Sequence, residues 1–157
     1  MDELLLDTTY ILPIFGLNIE LRDFEKTFLR LLKSYSVMYN PISLVEAKWV
    51  ILKLIRNNQS STAPLLRAYR LGLNALQEEH RLRSTTLTND GIEVMADELL
   101  MKTEIRDYFD RLIFATATHY NYLLLTEDEQ LHEIATSGSL PKPKKIIAWE
   151  NLIEQNI

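Results

Sequence analysis

Short apolar runs alternate along this chain with longer stretches in which apolar residues recur every three or four positions. Leu4-Leu5-Leu6, Val37 to Ile42, Tyr122 to Leu125 and Ile146 to Trp149 are of the first kind. They are apolar throughout, save where Asn40-Pro41 interrupts the second, as strands buried on both faces are. Ser84 to Thr88 adds a fifth strand by its β-branched content. Between them, Leu21, Phe24, Phe28, Leu31 and Leu32 recur at helical spacing with charged residues interleaved, which predicts an amphipathic helix over about Glu20 to Ser34. Further helices are expected over about Leu44 to Ile55, from Pro64 to about Arg81, and over Ile92 to Lys102, Asp107 to Tyr120 and Glu129 to Ala135. Strands that alternate with helices predict an α/β fold with a parallel sheet flanked by helices on both faces.

At 157 residues and 46% hydrophobic content the chain suits one domain over residues 1–157 with a sizeable core. It has no cysteine, which rules out disulfides, thiolate-bound zinc and thiol nucleophiles. Met1-Asp2-Glu3 is acidic and the first apolar run breaks at Asp7, so the expectation is neither a secretory leader nor a membrane span, and a cytoplasmic location. A net charge of -5 argues against coating nucleic acid by bulk electrostatics. Much of that charge is carried by four acids that stand at element boundaries.

These are Asp7, Glu46, Asp110 and Asp128. Asp7 ends a run of three leucines, where a helix cap is not an obvious duty. The other three have ordinary explanations: Ser43-x-x-Glu46 and Thr126-x-x-Glu129 fit capping boxes, and Asp110 fits the first turn of a helix capped by Asp107. In a parallel sheet, ligands gather beyond the carboxyl ends of the strands. Four carboxylates meeting there would repel and raise one another's pKa unless cations intervened. Oxygen ligands suit Mg²⁺ or Mn²⁺, which can support displacement at phosphorus.

The ordered set Leu6-Asp7-Thr8, Ser43-Leu44-Val45-Glu46, Asp110-Arg111-Leu112-Ile113-Phe114-Ala115-Thr116-Ala117 and Leu125-Thr126-Glu127-Asp128 resembles the PIN-domain nucleases, over nearly the whole chain. Thr9 departs mildly from the asparagine or serine common at that position. The resemblance implies a PIN-like α/β fold in which Asp7, Glu46, Asp110 and Asp128 hold Mg²⁺ or Mn²⁺ and support cleavage of single-stranded RNA. Thr8 and Thr126 then orient ligands or water. It also implies kinship with the toxin half of VapBC-type toxin–antitoxin pairs, hence a homodimer and an antitoxin partner. The alternative it leaves is an RNA-processing or non-catalytic module that holds RNA or a protein.

Arg67 and Arg70, three apart on a predicted helix, and Lys142 and Lys144 in a proline-containing loop are candidate contacts for RNA or a partner; a solvated surface would look the same. His80, His119 and His132 lack the spacing of paired ligands. Trp49 and Trp149 are expected in the core or an interface rather than as base-stacking platforms. A haloacid-dehalogenase phosphatase needs a second acid where this chain has Thr9, and a receiver domain needs an acidic pair that Asp7-Thr8 does not supply.

Overall fold

The computed structural model describes residues 1–154. Five short strands, β1 (Glu3–Leu6), β2 (Ser36–Tyr39), β3 (Leu82–Ser84), β4 (Leu123–Leu125) and β5 (Lys145–Ile147), form an all-parallel sheet in the order β3-β2-β1-β4-β5. The chain builds outward from β1 to β3, then returns to lay β4 on the other side of β1. The point where the order reverses therefore lies between β1 and β4. Leu5 stands in register with Met38 on one side and Leu124 on the other.

Helices cover both faces, which explains the unbroken apolar strands. Leu4, Leu6, Val37, Tyr39, Leu123 and Leu125 pack on one face. They meet α1 (Phe24–Ser34), α2 (Ile42–Asn57), α3 (Thr62–Glu78) and α7 (Trp149–Glu154). Leu5, Met38 and Leu124 pack on the other face against α4 (Asp90–Lys102), α5 (Tyr108–His119) and α6 (Glu129–Thr136). Leu4, Leu5 and Leu6 are all fully buried, each worth about 1.5–3 kcal/mol on transfer from water.

Several boundaries differ from the sequence expectation. The first helix begins at Phe24, because Asp23 takes a left-handed conformation (φ 51°) just before it. Strand β2 stops at Tyr39, and α3 ends at Glu78 rather than near Arg81. The third strand is Leu82–Ser84, earlier than the β-branched run that suggested it. Only Thr85 extends the ladder, through its N–H to the Tyr39 carbonyl at 2.9 Å.

The last strand ends at Ile147, and Trp149 opens α7 instead of continuing it. The Trp149 N–H donates to Glu127 at 2.6 Å and its indole N–H to the Arg22 carbonyl at 2.9 Å. Its ring packs against Tyr10 and Phe24, and it is fully buried. Among the described residues no helix is long and apolar enough to cross a membrane.

Candidate functional site

The carboxyl ends of β1 and β4 lie side by side, and the chain leaves them in opposite directions. Asp7 follows β1 directly, its N–H donating to the Leu125 carbonyl at 3.0 Å. The Asp7 carboxylate caps the 3-10 turn Thr8–Tyr10 by accepting from the Thr8 N–H at 2.6 Å. Its other oxygen accepts from the Thr126 hydroxyl, also at 2.6 Å. Asp7 is only 8% exposed, so both bonds offset the cost of burying a charge.

Glu46 reaches the same place from α2. The Thr8 hydroxyl donates to its carboxylate. The capping box read from Ser43-x-x-Glu46 does not form. Asn40 accepts the Ile42 N–H at 2.8 Å and so takes over the start of α2, with Pro41 at the cap position. Ser43 is left buried, its hydroxyl without a partner among the described residues.

Asp107 caps α5 by accepting the Phe109 N–H at 2.8 Å, and Asp110 sits in the first turn, as the spacing suggested. Asp128 is itself the cap of α6, accepting from the Leu131 N–H at 2.9 Å. The second expected capping box is therefore replaced. The Thr126 hydroxyl accepts the Asp128 N–H at 3.1 Å while donating to Asp7, and so links the two aspartates.

Electrostatics bind the four acids into one group. Burial pushes the Asp110 carboxyl up to about 7, and the charges of Asp7, Asp107, Asp128 and Glu46 push in the same direction. This exceeds the help that a helix N-terminus gives a carboxylate. Burial also raises Asp7; its hydrogen bonds from Thr126 and Thr8 pull the other way, and the Asp128 and Glu127 charges add to the rise. Glu46 is raised by burial, against the Thr8 hydrogen bond and the Lys53 cation, with Asp7 and Asp107 adding. Three carboxyls thus resist ionising together.

That resistance is what a hard divalent cation relieves, and an all-oxygen donor set suits one. As the side chains stand, however, no group of three or more Asp, Glu or His among the described residues is arranged to hold a metal ion. Both oxygens of Asp7 accept hydrogen bonds and Glu46 is tied to Thr8.

The basic candidates lie elsewhere. Arg67 and Arg70 line an open groove of about 470 Å³ on α3 with Leu71, Leu73, Asn74 and Gln77. Lys144 pairs with Asp2 at 2.8 Å, and its N–H bonds the Tyr122 carbonyl. That is the amino end of the sheet, opposite the acids. Lys142 donates to the Ala135 carbonyl at the end of α6, so neither lysine faces the acidic site. The cation whose charge is felt at Glu46 belongs to Lys53. His132 donates through Nε2 to the Thr126 carbonyl at 2.9 Å, a structural duty.

Two supporting residues escaped the sequence reading. Buried Asn40 donates to the Leu87 carbonyl at 3.0 Å and to the Thr116 hydroxyl at 2.9 Å, which ties the end of β2 to α5. Glu127 accepts from the Tyr10 hydroxyl and the Trp149 N–H. A polar residue between an apolar strand and a proline was the available signal for Asn40. Glu127 gave none beyond its place next to Asp128.

No curated protein matches the chain. Its fold is similar to that in the crystal structure of VapBC2 from Rickettsia felis bound to a DNA fragment from their promoter. The TM-score is 0.64 at 17% identity, over 94% of this chain and 98% of that one. It is also similar to VapBC-5 from Mycobacterium tuberculosis, a member of the VapBC family of toxin–antitoxin systems. Here the TM-score is 0.54 at 16% identity, with 94% and 98% covered. The model of the PIN domain matches residues 4–137, and the chain belongs to that family.

Proposed function

We propose that this PIN-domain protein is a divalent-metal-dependent endoribonuclease that cleaves single-stranded RNA. The observation that carries the reading is the shared electrostatic strain of Asp7, Glu46 and Asp110 at the point where the strand order reverses. Asp7, Glu46, Asp110 and Asp128 would hold Mg²⁺ or Mn²⁺. Ions of this kind commonly take only one or two protein carboxylates and keep several waters, so a ready-made cage of three is not required. When bound, the ion supplies charge neutralisation at the phosphate and a water of lowered pKa. Thr126 orients the Asp7 carboxylate and Thr8 that of Glu46, each by a hydrogen bond to one oxygen. Asp110, pushed up to about 7, can hold or release a proton near neutrality in the ion-free site.

We further infer that the chain is the toxin of a VapBC-type pair, acting in the cytoplasm as a homodimer held in check by an antitoxin protein. Its likeness to chains of two VapBC complexes over nearly their full length supports this. The test of the chemistry is cleavage of a mixed-sequence single-stranded RNA with Mg²⁺, Mn²⁺ or EDTA, by wild type and Asp7→Asn in parallel. Cutting that needs metal and disappears in the variant is the expected result.

A second reading, a module that binds RNA or a protein without turnover, is favoured by one observation: among the described residues no three Asp, Glu or His side chains are preset around an ion. A folded, metal-binding wild type that leaves every RNA intact would select it.

A further inference from the structure

Of the two places expected for Trp49, the core is excluded: it is 57% exposed, on the helix that carries Glu46. At 100° per residue, Glu46, Trp49, Lys53 and Arg56 fall within an arc of about 80° on α2, and Arg56 lies about 15 Å along the axis from Glu46. Trp49, Leu52, Lys53 and Arg56 line an open groove of about 230 Å³. No carboxylate lines it, and among the described residues neither cation has an acid within ion-pair distance. In a chain of net charge -5, a cationic strip that starts beside the acidic site stands apart.

We propose that Trp49, Lys53 and Arg56 form a substrate subsite, in which the indole stacks on an unpaired base of single-stranded RNA and the two cations hold the flanking phosphates. Exposed aromatic rings along a cationic track are the usual means of holding single strands, because every base offers a flat face. The strip also offsets the repulsion that phosphates meet as they approach Asp7, Glu46 and Asp110. The core of a protein interface is depleted of charged residues, whereas Lys53 and Arg56 line this groove beside the ring. The identity of the strand rests on the nuclease reading above, but binding and cutting can be measured apart.

The experiment titrates an Asp7→Asn protein, in Mg²⁺, with a mixed-sequence single-stranded RNA octamer carrying a 5′ fluorescent label; it follows tryptophan fluorescence and, for the variants that lack the Trp49 indole, the anisotropy of the label. Trp149 is fully buried, so quenching reports Trp49. Trp49→Ala is expected to weaken binding roughly 5- to 150-fold, Trp49→Phe to restore most of it, and duplex RNA not to quench. Replacing Lys53 and Arg56 with alanine is expected to flatten the salt dependence of log K by about 1.4. Quenching by single strands that wild type does not cut would keep the subsite and remove the nuclease. Wild-type cutting, with binding untouched by these substitutions, would overturn the subsite and keep the nuclease. A concentration-dependent dimer that shields Trp49 and is lost in Trp49→Ala would also overturn it, giving the face to a second copy of the chain.

Discussion

The Thr126 hydroxyl donates to the Asp7 carboxylate at 2.6 Å and so joins the ends of β4 and β1 across 119 residues of sequence. It opposes the burial that drives the Asp7 carboxyl upward. Thr126→Val removes the donor at nearly constant shape. The metal-free protein is expected to lose about 1.5–3 kcal/mol at pH 8, where Asp7 is most ionised, and less at pH 5. Thr126→Ser should recover most of the loss. Urea unfolding at the two pH values measures it.

Asp7, Glu46 and Asp110 all have raised pKa values in the fold. A raised carboxyl favours the protonated folded state, so its contribution to stability is complete below its unfolded pKa, about 4, and is lost as pH rises through the folded value. For Asp110 that value is about 7. Metal-free melting temperature is therefore expected to fall between pH 4 and pH 8 on account of these three groups. Asp110→Asn should flatten the fall by about 2–4 °C, taking ~1 kcal/mol after allowance for solvent screening. Melts in EDTA across this range decide it, and an unchanged slope in the variant would count against the coupling.

Adding Mg²⁺ or Mn²⁺ should reverse that trend. An ion that binds only the folded, ionised site stabilises by about 2.7 kcal/mol at a hundred times its Kd. The gain is expected to be large at pH 8 and small at pH 5, and to shrink in Asp7→Asn. Differential scanning calorimetry with and without the ion measures it.

Asn40 spends both ends of its amide on the frame around the site. It accepts from the Ile42 N–H and donates to the Leu87 carbonyl and the Thr116 hydroxyl. Asn40→Ala is expected to cost about 2–4 kcal/mol, since several buried groups lose their partner together. Asn40→Asp should do no better, because a carboxylate cannot donate to the Leu87 carbonyl. Denaturant midpoints for the two variants check this.

Gly72 lets α3 sit directly on the 3-10 turn Leu12–Phe15. A Cβ there would lie 2.5 Å from the Ile14 carbonyl oxygen and from the Phe15 ring. Alanine gains up to about 1 kcal/mol in helix propensity, but forcing backbone apart costs about 1–3 kcal/mol, so a net loss is expected. A thermal melt of Gly72→Ala gives the sign.

The layered fold and the acids at its edge were legible because unbroken apolar strands and helical spacing are local signals. Leu4 to Leu6 and Leu123 to Leu125 could be read with no knowledge of their neighbours. The capping boxes that the spacing allows do not form, because a cap is contested by whatever the fold brings near. Asn40 takes the N–H groups at the start of α2, and Thr8, 38 residues away, takes Glu46. The threonines after Ser84 look like strand, yet Asn40 holds the Leu87 carbonyl where a ladder partner would stand. Lys144 looked like an RNA contact because sequence does not say which end of a sheet a loop occupies. Trp49 shows the converse: an aromatic at helical spacing fits core and interface equally until the outward face is known.

Glu46 comes from the segment after β2, Asp110 from the helix before β4, and β1 supplies Asp7 while the chain after β4 supplies Asp128. No pair of them is closer than 18 positions in sequence, and the two central ones are joined through the strand pairing of largest separation, β1 with β4. The repulsion among all four acids is therefore complete only after the sheet has closed at its centre. A chain still short of Asp128 as it is made lacks both the fourth charge and the Thr126 hydroxyl that holds Asp7. Whatever chemistry the cluster performs is switched on by completion of the fold itself.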